Sequence, residues 1–214
     1  MEHVQRNRSE KDRLISEIVS LEWNMFQKVE NIGGRAGCQD DWNTFYIMRY
    51  SQDVTWSDDT LRSYLNDLRQ AEASGRNLLT EKYAYMMEFT DPEYYREHLQ
   101  ASLPALSEQK GRLIAEIVSL QLLSHRRFAG QFPRIAGAGR PVGDERGETS
   151  VKSYSIGELK TYSEETLRLL LRDVKQNPDM VLDIQRGIAE FYGYSGLEAA
   201  EQALAGRDGE RQSQ

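Results

Sequence analysis

Apolar side chains recur along this chain at intervals of three and four residues, the period at which an α-helix buries one face. Leu14, Ile15, Ile18, Val19, Leu21, Met25, Phe26 and Val29 form the first such stripe and predict a helix over about residues 10–29, closed by Asn31-Ile-Gly-Gly34. Trp42, Phe45, Tyr46, Arg49 and Tyr50 predict a second, capped near Asp40 or Asp41. Ser57 starts a third, because a serine oxygen accepts from the free N–H groups of a first turn, and Asp58 and Asp59 suit the positive end of the helix dipole. Its inward face is Leu61, Tyr64, Leu65 and Leu68. A shorter helix over about 78–89 carries Tyr83, Met86 and Met87, and Asp91-Pro92-Glu93 reads as a further start, since proline at the first helical position forfeits no hydrogen bond.

The pattern then returns. Lys11-Asp-Arg-Leu-Ile-Ser-Glu-Ile-Val-Ser-Leu21 is matched by Lys110-Gly-Arg-Leu-Ile-Ala-Glu-Ile-Val-Ser-Leu120 at nine of eleven positions, and Thr55-Trp-Ser-Asp-Asp-Thr-Leu-Arg62 by Thr161-Tyr-Ser-Glu-Glu-Thr-Leu-Arg168. The order and approximate spacing of the matches read as an internal duplication, with repeats of about 10–90 and 109–193. In the second repeat a helix is predicted over about 104–129, another from Ser163 with Leu167, Leu170, Leu171 and Val174 inside, another over about 178–192, and a last one capped by Ser195 and ending near Ala205. The glycine-rich run Ile135 to Asp144 reads as a loosened loop or a flexible lid. The tail 206–214 is polar and predicted disordered. No bounded alternating run predicts a strand. The expected fold is all-α: one domain, residues 1–205, a helical bundle of two duplicated units about a pseudo-twofold axis.

Several polar residues stand where a plain core would be apolar. Glu22 lies within the first stripe, four residues after Ile18 and four before Phe26, so it needs a partner or a shifted pKa. Its match in the second repeat is the uncharged Gln121, so packing alone does not demand a carboxylate there. Arg49 lies on the aromatic face of its helix, with Gln52 continuing that line. As a catalytic set, Glu22 would serve as general base or polar anchor, and Arg49 would hold an anionic group bidentately. As a structural set, the two would simply answer each other.

The loop between these helices gathers Asn31, Arg35, Cys38 and Gln39 among glycines, as a backbone nest for a small anion does, although glycine after a helix is also an ordinary cap. Arg35, Asn31, Gln39 and Gln52 are candidate ligand-binding residues on that reading. Cys38 is expected as a small packing residue. Arg76, Asn77 and Lys82 mark a second polar group at a helix start, where an anion could bind, with Lys82 the candidate ligand contact. Trp23, Trp42 and Trp56 all fall in the first repeat; Trp23 and Trp56 are candidates to wall a pocket.

Composition narrows the classes. The 214 residues carry a net charge of −7, against nucleic acid as a partner, and the run His125-Arg126-Arg127 suits the negative end of a helix. No stretch approaches the roughly 20 apolar residues of a membrane span, and the first residues lack the apolar core of a signal peptide, so a cytoplasmic location is expected. One cysteine excludes an intrachain disulfide and a thiolate zinc site. No phosphate loop, dinucleotide fingerprint or paired Glu-x-x-His motif is present, and no cofactor is indicated. A carboxylate metal site of Glu22, Asp40 and Asp41 is a weaker alternative.

Leu21-Glu-Trp-Asn-Met-Phe26, Val29, Asn31, Gly33-Gly-Arg-Ala36, Cys38-Gln39, Met48-Arg49, Ser51-Gln52, Trp56, Gly75-Arg-Asn77 and Lys82-Tyr83 together resemble the signature of a bacterial family, domain of unknown function 4125. The resemblance implies no activity, cofactor or catalytic residue. Two readings stay open: a pocket of the first repeat that takes a small anionic or polar metabolite, with or without chemistry, and a non-enzymatic helical module for a partner or for homo-oligomerisation.

Overall fold

Side-chain caps set where the helices begin in the computed structural model, which describes residues 9–31, 33–143 and 149–212, with side chains to residue 206. α1 (Glu10–Phe26) starts at Ser9, whose hydroxyl accepts from Asp12 N while Asp12 returns a carboxylate to the Ser9 backbone. α2 (Trp42–Asp53) starts at Asp41, α3 (Asp58–Ala73) at Ser57 and α4 (Leu78–Thr90) at Asn77. The short α5 (Pro92–Tyr94) leads through tight turns to α6 (Glu108–Gln131). There follow α7 (Pro133–Gly137), α8 (Val151–Leu159), α9 (Glu164–Gln176), α10 (Met180–Phe191) and α11 (Leu197–Gln212). Among the described residues there is no strand, and the fold is all-α. No helix there is long and apolar enough to cross a membrane.

Several boundaries differ from the spacing, each for a local reason. α1 stops at Phe26 rather than near residue 29, because Gln39 takes the Phe26 and Val29 carbonyls. α6 begins at Glu108, where Ser107 caps it, rather than near residue 104. α10 is shorter than expected, and Gly196 at φ +158°, not Ser195, precedes α11 and accepts from Ala200 N. α11 runs past Gly206 to Gln212. Ser213, Gln214, Ile32 and Asp144 lie outside the described residues. α8 has no counterpart among the predicted elements; it forms on a capping box between Ser150 and Ser153.

α1 packs on α2, α3 and α4, and α6 packs on α8, α9 and α10, with α3 and α9 touching at the centre. The two sets also cross over: α4 lies on α8, and α10 lies on α2. The α4–α8 approach is close because Gly157 has no side chain; a Cβ there would stand 2.9 Å from the Lys82 carbonyl. The central contact is reciprocal. Asp173 accepts from Ser57 N at 2.8 Å and the Thr60 hydroxyl at 2.6 Å, and Asp67 accepts from Ser163 N at 2.9 Å and the Thr166 hydroxyl at 2.7 Å. Each carboxylate therefore extends the cap of the opposite helix, a favourable place for negative charge. Ile15, Ile18, Val19, Leu61, Leu68, Ile117 and Leu167 are fully buried in the core between these layers. A smaller cluster of Phe128, Val181, Ala189, Leu197 and Ala200 lies where α6, α10 and α11 meet.

Candidate functional site

Glu22 and Arg49 answer each other. α1 and α2 pack so that the Arg49 Nε donates to one Glu22 oxygen at 2.7 Å and its Nη2 donates to the other. The Tyr64 hydroxyl donates to the same carboxylate at 2.6 Å. The third face of the guanidinium turns to a residue the sequence did not mark: Arg49 Nη1 donates to Glu158 of α8 at 2.9 Å. Glu158 also accepts from Lys82 Nζ at 2.5 Å, the Tyr162 hydroxyl at 2.7 Å and Gln52 Nε2 at 3.1 Å. Two carboxylates and two cations thus balance in the interior, all nearly sealed from solvent.

Burial alone would raise the pKa of Glu158, but the charges of Arg49 and Lys82 and the bonds from Lys82 and Tyr162 hold it well below the usual carboxylate range. Burial would likewise drive Lys82 and Arg49 toward neutrality, and their carboxylates outweigh it and keep both charged. Asp53 is the exception. It is wholly buried, neither oxygen has a hydrogen-bond partner among the described residues, and desolvation pushes its pKa well above the ordinary value despite nearby Arg49.

A cavity of about 510 Å³ opens beside this cluster, on the side of α6, α8 and α10. Its wall is mainly apolar, with Trp56, Phe128, Val151, Met180 and Ile184 among the lining residues. Gln52, Gln121, Ser155 and Glu158 also line it, and Ser155 donates to Gln121 at 2.8 Å. His125 lines it as well, and burial pushes its pKa down to about 4, so it is uncharged at neutral pH. The segment expected as a flexible lid contributes Ala138, Gly139, Arg140 and Val142 to the wall. It is tied down by the Pro141 carbonyl, which accepts from Val151 N at 2.8 Å, and by Arg140, which lies 4.5 Å from the Tyr154 ring.

The residues marked from sequence do not gather in one place. Gln52 and Trp56 line the cavity, Lys82 reaches its edge through Glu158 and through the Tyr154 ring, 3.6 Å away, and Glu22 and Arg49 do not line it. The pocket is therefore walled chiefly by the second half of the chain rather than the first. Asn31, Arg35 and Gln39 stay in the α1–α2 loop, where they hold each other. Gln39 donates to the Phe26 and Val29 carbonyls at 2.9 and 3.0 Å and accepts from Asn31 and Ala36 N, each at 2.9 Å. Arg35 pairs with Asp40 at 2.8 Å. Gln39→Leu is accordingly expected to cost about 1–3 kcal/mol in urea denaturation, through the stranded loop groups. A stability change too small to measure would contradict the structural role.

Trp23 is half-buried against Phe26, Trp42 and Phe45, away from the cavity. Cys38 is exposed, not a packing residue, because the loop turns it outward while Gln39 points in. The group at Arg76 is not assembled either: Arg76 pairs with Glu81, Asn77 caps its own helix and ties to the Met25 carbonyl, and Lys82 faces inward. Asp40 and Asp41 serve Arg35 and the α2 cap, apart from buried Glu22.

Against known proteins, the family described as "Protein of unknown function (DUF4125)" matches residues 12–202. The chain belongs to this family. No curated protein and no solved structure matches the chain. In this family member, Glu158 and Asp53 are the site residues missed by the sequence. A signal existed: the register that sets Thr55 against Thr161 also sets Gln52 against Glu158, Asp53 against Leu159 and Arg49 against Ser155.

Proposed function

We propose that this protein binds a small, largely apolar molecule with one polar end in the cavity beside α2, α6, α8 and α10. The observation that carries this reading is a cavity of about 510 Å³ whose apolar wall is interrupted by a polar end of Gln52, Gln121, Ser155 and Glu158. That size and that mixture are usual for metabolite pockets. Binding is favoured over catalysis. Glu158 is ionised and already accepts four hydrogen bonds, which makes it a poor base, and Glu22 lies off the wall. An anion-holding role for Arg49 is disfavoured because its donors are committed to Glu22 and Glu158. The sealed setting of Glu22 and Arg49 favours a structural role for that pair.

The test is a thermal-shift screen of metabolites on the wild type and on Ser124→Met. Ser124 lines the cavity and is matched by Met25 in the first half, so methionine there fills space without adding charge. A ligand at a hundredfold excess over its Kd stabilises by about 2.7 kcal/mol, so hits are readily seen. Hits are expected to shift the wild type and not the variant. Equal shifts in both proteins would overturn the cavity as the site.

We also propose that the two halves arose by duplication. The repeated sequences and the reciprocal bonds of Asp67 and Asp173 support it.

A further inference from the structure

We infer that the ligand's polar end is an uncharged group that both donates and accepts hydrogen bonds, of the carboxamide or urea class, and that it sits between Gln52 and Gln121. This rests on the binding role proposed above and names the chemistry of that same site.

The inference comes from comparing the halves. In the first, the Arg49 guanidinium spans two carboxylates, Glu22 and Glu158. The register that sets Lys11 against Lys110 pairs Glu22 with Gln121, and the register that sets Thr55 against Thr161 pairs Gln52 with Glu158 and Arg49 with Ser155. At the matching place, then, the flanking groups are the carboxamides of Gln121 and Gln52, one from each half, and the spanning side chain is cut back to a serine that donates to Gln121 at 2.8 Å. Gln52, Gln121 and Ser155 all line the cavity, so the place a guanidinium fills in one half is open in the other.

Two carboxylates select a cation. Gln52 gives one N–H to Glu158 at 3.1 Å and its oxygen lies 3.5 Å from Arg49 Nη1, while the Gln121 oxygen accepts from Ser155. Each amide keeps a second N–H and a second lone pair, and the complement of two such groups is a neutral planar group that both donates and accepts. Among the described residues, a charged head would lose its hydration without gaining a counter-charge at this end, since Glu158 is already balanced by Arg49 and Lys82. Arg140 is a cation on the wall, but it lies on the separate 138–143 segment, stacked on Tyr154. His125 is held uncharged by burial.

The experiment uses matched triplets in which a phenyl, indolyl or naphthyl body carries a carboxamide, a carboxylate or an ammonium group. Affinities are measured by calorimetry on the wild type, Gln121→Leu, and the double variant Gln121→Glu with Ser155→Arg. The carboxamides are expected to bind tightest. Gln121→Leu is expected to weaken them about tenfold, the worth of a neutral hydrogen bond. The double variant supplies its own ion pair at the site and is expected to bind none. On the wild type, the Gln121 side-chain NH2 resonance is expected to move with carboxamide, a readout independent of how the variants fold. Preference for carboxylates or ammonium compounds, or a Gln121 resonance that stays still, overturns the assignment of the head and leaves the cavity reading standing. No binding by any member to the wild type overturns both.

Discussion

Arg49→Met is expected to cost on the order of 3–5 kcal/mol of folding stability, because it leaves buried carboxylates without their counter-charge. Among the described residues, Glu22 would keep only the Tyr64 hydroxyl, and Glu158 would keep Lys82, Tyr162 and Gln52. The loss is a statement about breaking a pair, not about the net worth of the pair, since taking both charges out of water is itself costly. A second variant separates the two. Glu22→Gln with Arg49→Met removes both charges together and is expected to recover much of the loss. Arg49→Lys is expected to fall short of the wild type, because a single ammonium cannot reproduce the fork that meets both Glu22 oxygens while also reaching Glu158. Urea denaturation of the three variants decides the matter. An Arg49→Met change within about 1 kcal/mol, the range of exposed ion pairs, would contradict the sealed cluster.

Asp53→Asn is expected to stabilise the protein at neutral pH, by on the order of 1–3 kcal/mol. Asp53 has a folded pKa raised above its unfolded value by burial, so the folded state favours its protonated form. Its contribution is full below the unfolded pKa of about 3.9 and is lost as pH rises toward the folded value. At neutral pH the native residue therefore opposes folding, and asparagine, which does not ionise, removes that opposition. The advantage of the variant should close as pH falls below about 3.9. Glu158 works in the other direction: its folded pKa is depressed, so its contribution is present above the unfolded carboxylate value and is lost as pH falls through the folded one. In Asp53→Asn only the second trend remains of these two, and the stability profile should rise more steeply from acid to neutral. A wild type more stable than the variant at neutral pH would mean that Asp53 meets a partner in solution.

The buried stripes were legible because burial at helical spacing leaves a direct trace in sequence, as Ile15, Ile18 and Val19 show. Glu22 was legible for the same reason, as a carboxylate interrupting that trace, and its pairing with Arg49 was one of the two readings that the second stripe left open. Glu158 was not. α8 carries Lys152, Ser153, Ser155 and Glu158 among its few apolar residues, so no stripe announces the helix or the face that Glu158 occupies. Asp53 reads in sequence as an acid at a helix end, and its burial beside Glu22 of α1 and Glu158 of α8 comes from helices that meet only in the fold. The cavity had no trace because it consists of volume withheld, by Ser124 and Ser155, from helices distant in the chain. The α1–α2 loop misled in the opposite way: its polar residues are gathered to satisfy one another around Gln39.

The crossing of α4 onto α8 and of α10 onto α2 has a consequence for synthesis. When the first half leaves the ribosome, α4 has no α8 to lie on, and Arg49 and Lys82 have no Glu158. The nascent segment carries Arg49 with Glu22 alone, Lys82 without its carboxylate, and an open apolar face until most of the second half has been made. Closure then depends on contacts between residues far apart in the chain, the kind that forms slowly and leaves sticky surface exposed in the meantime.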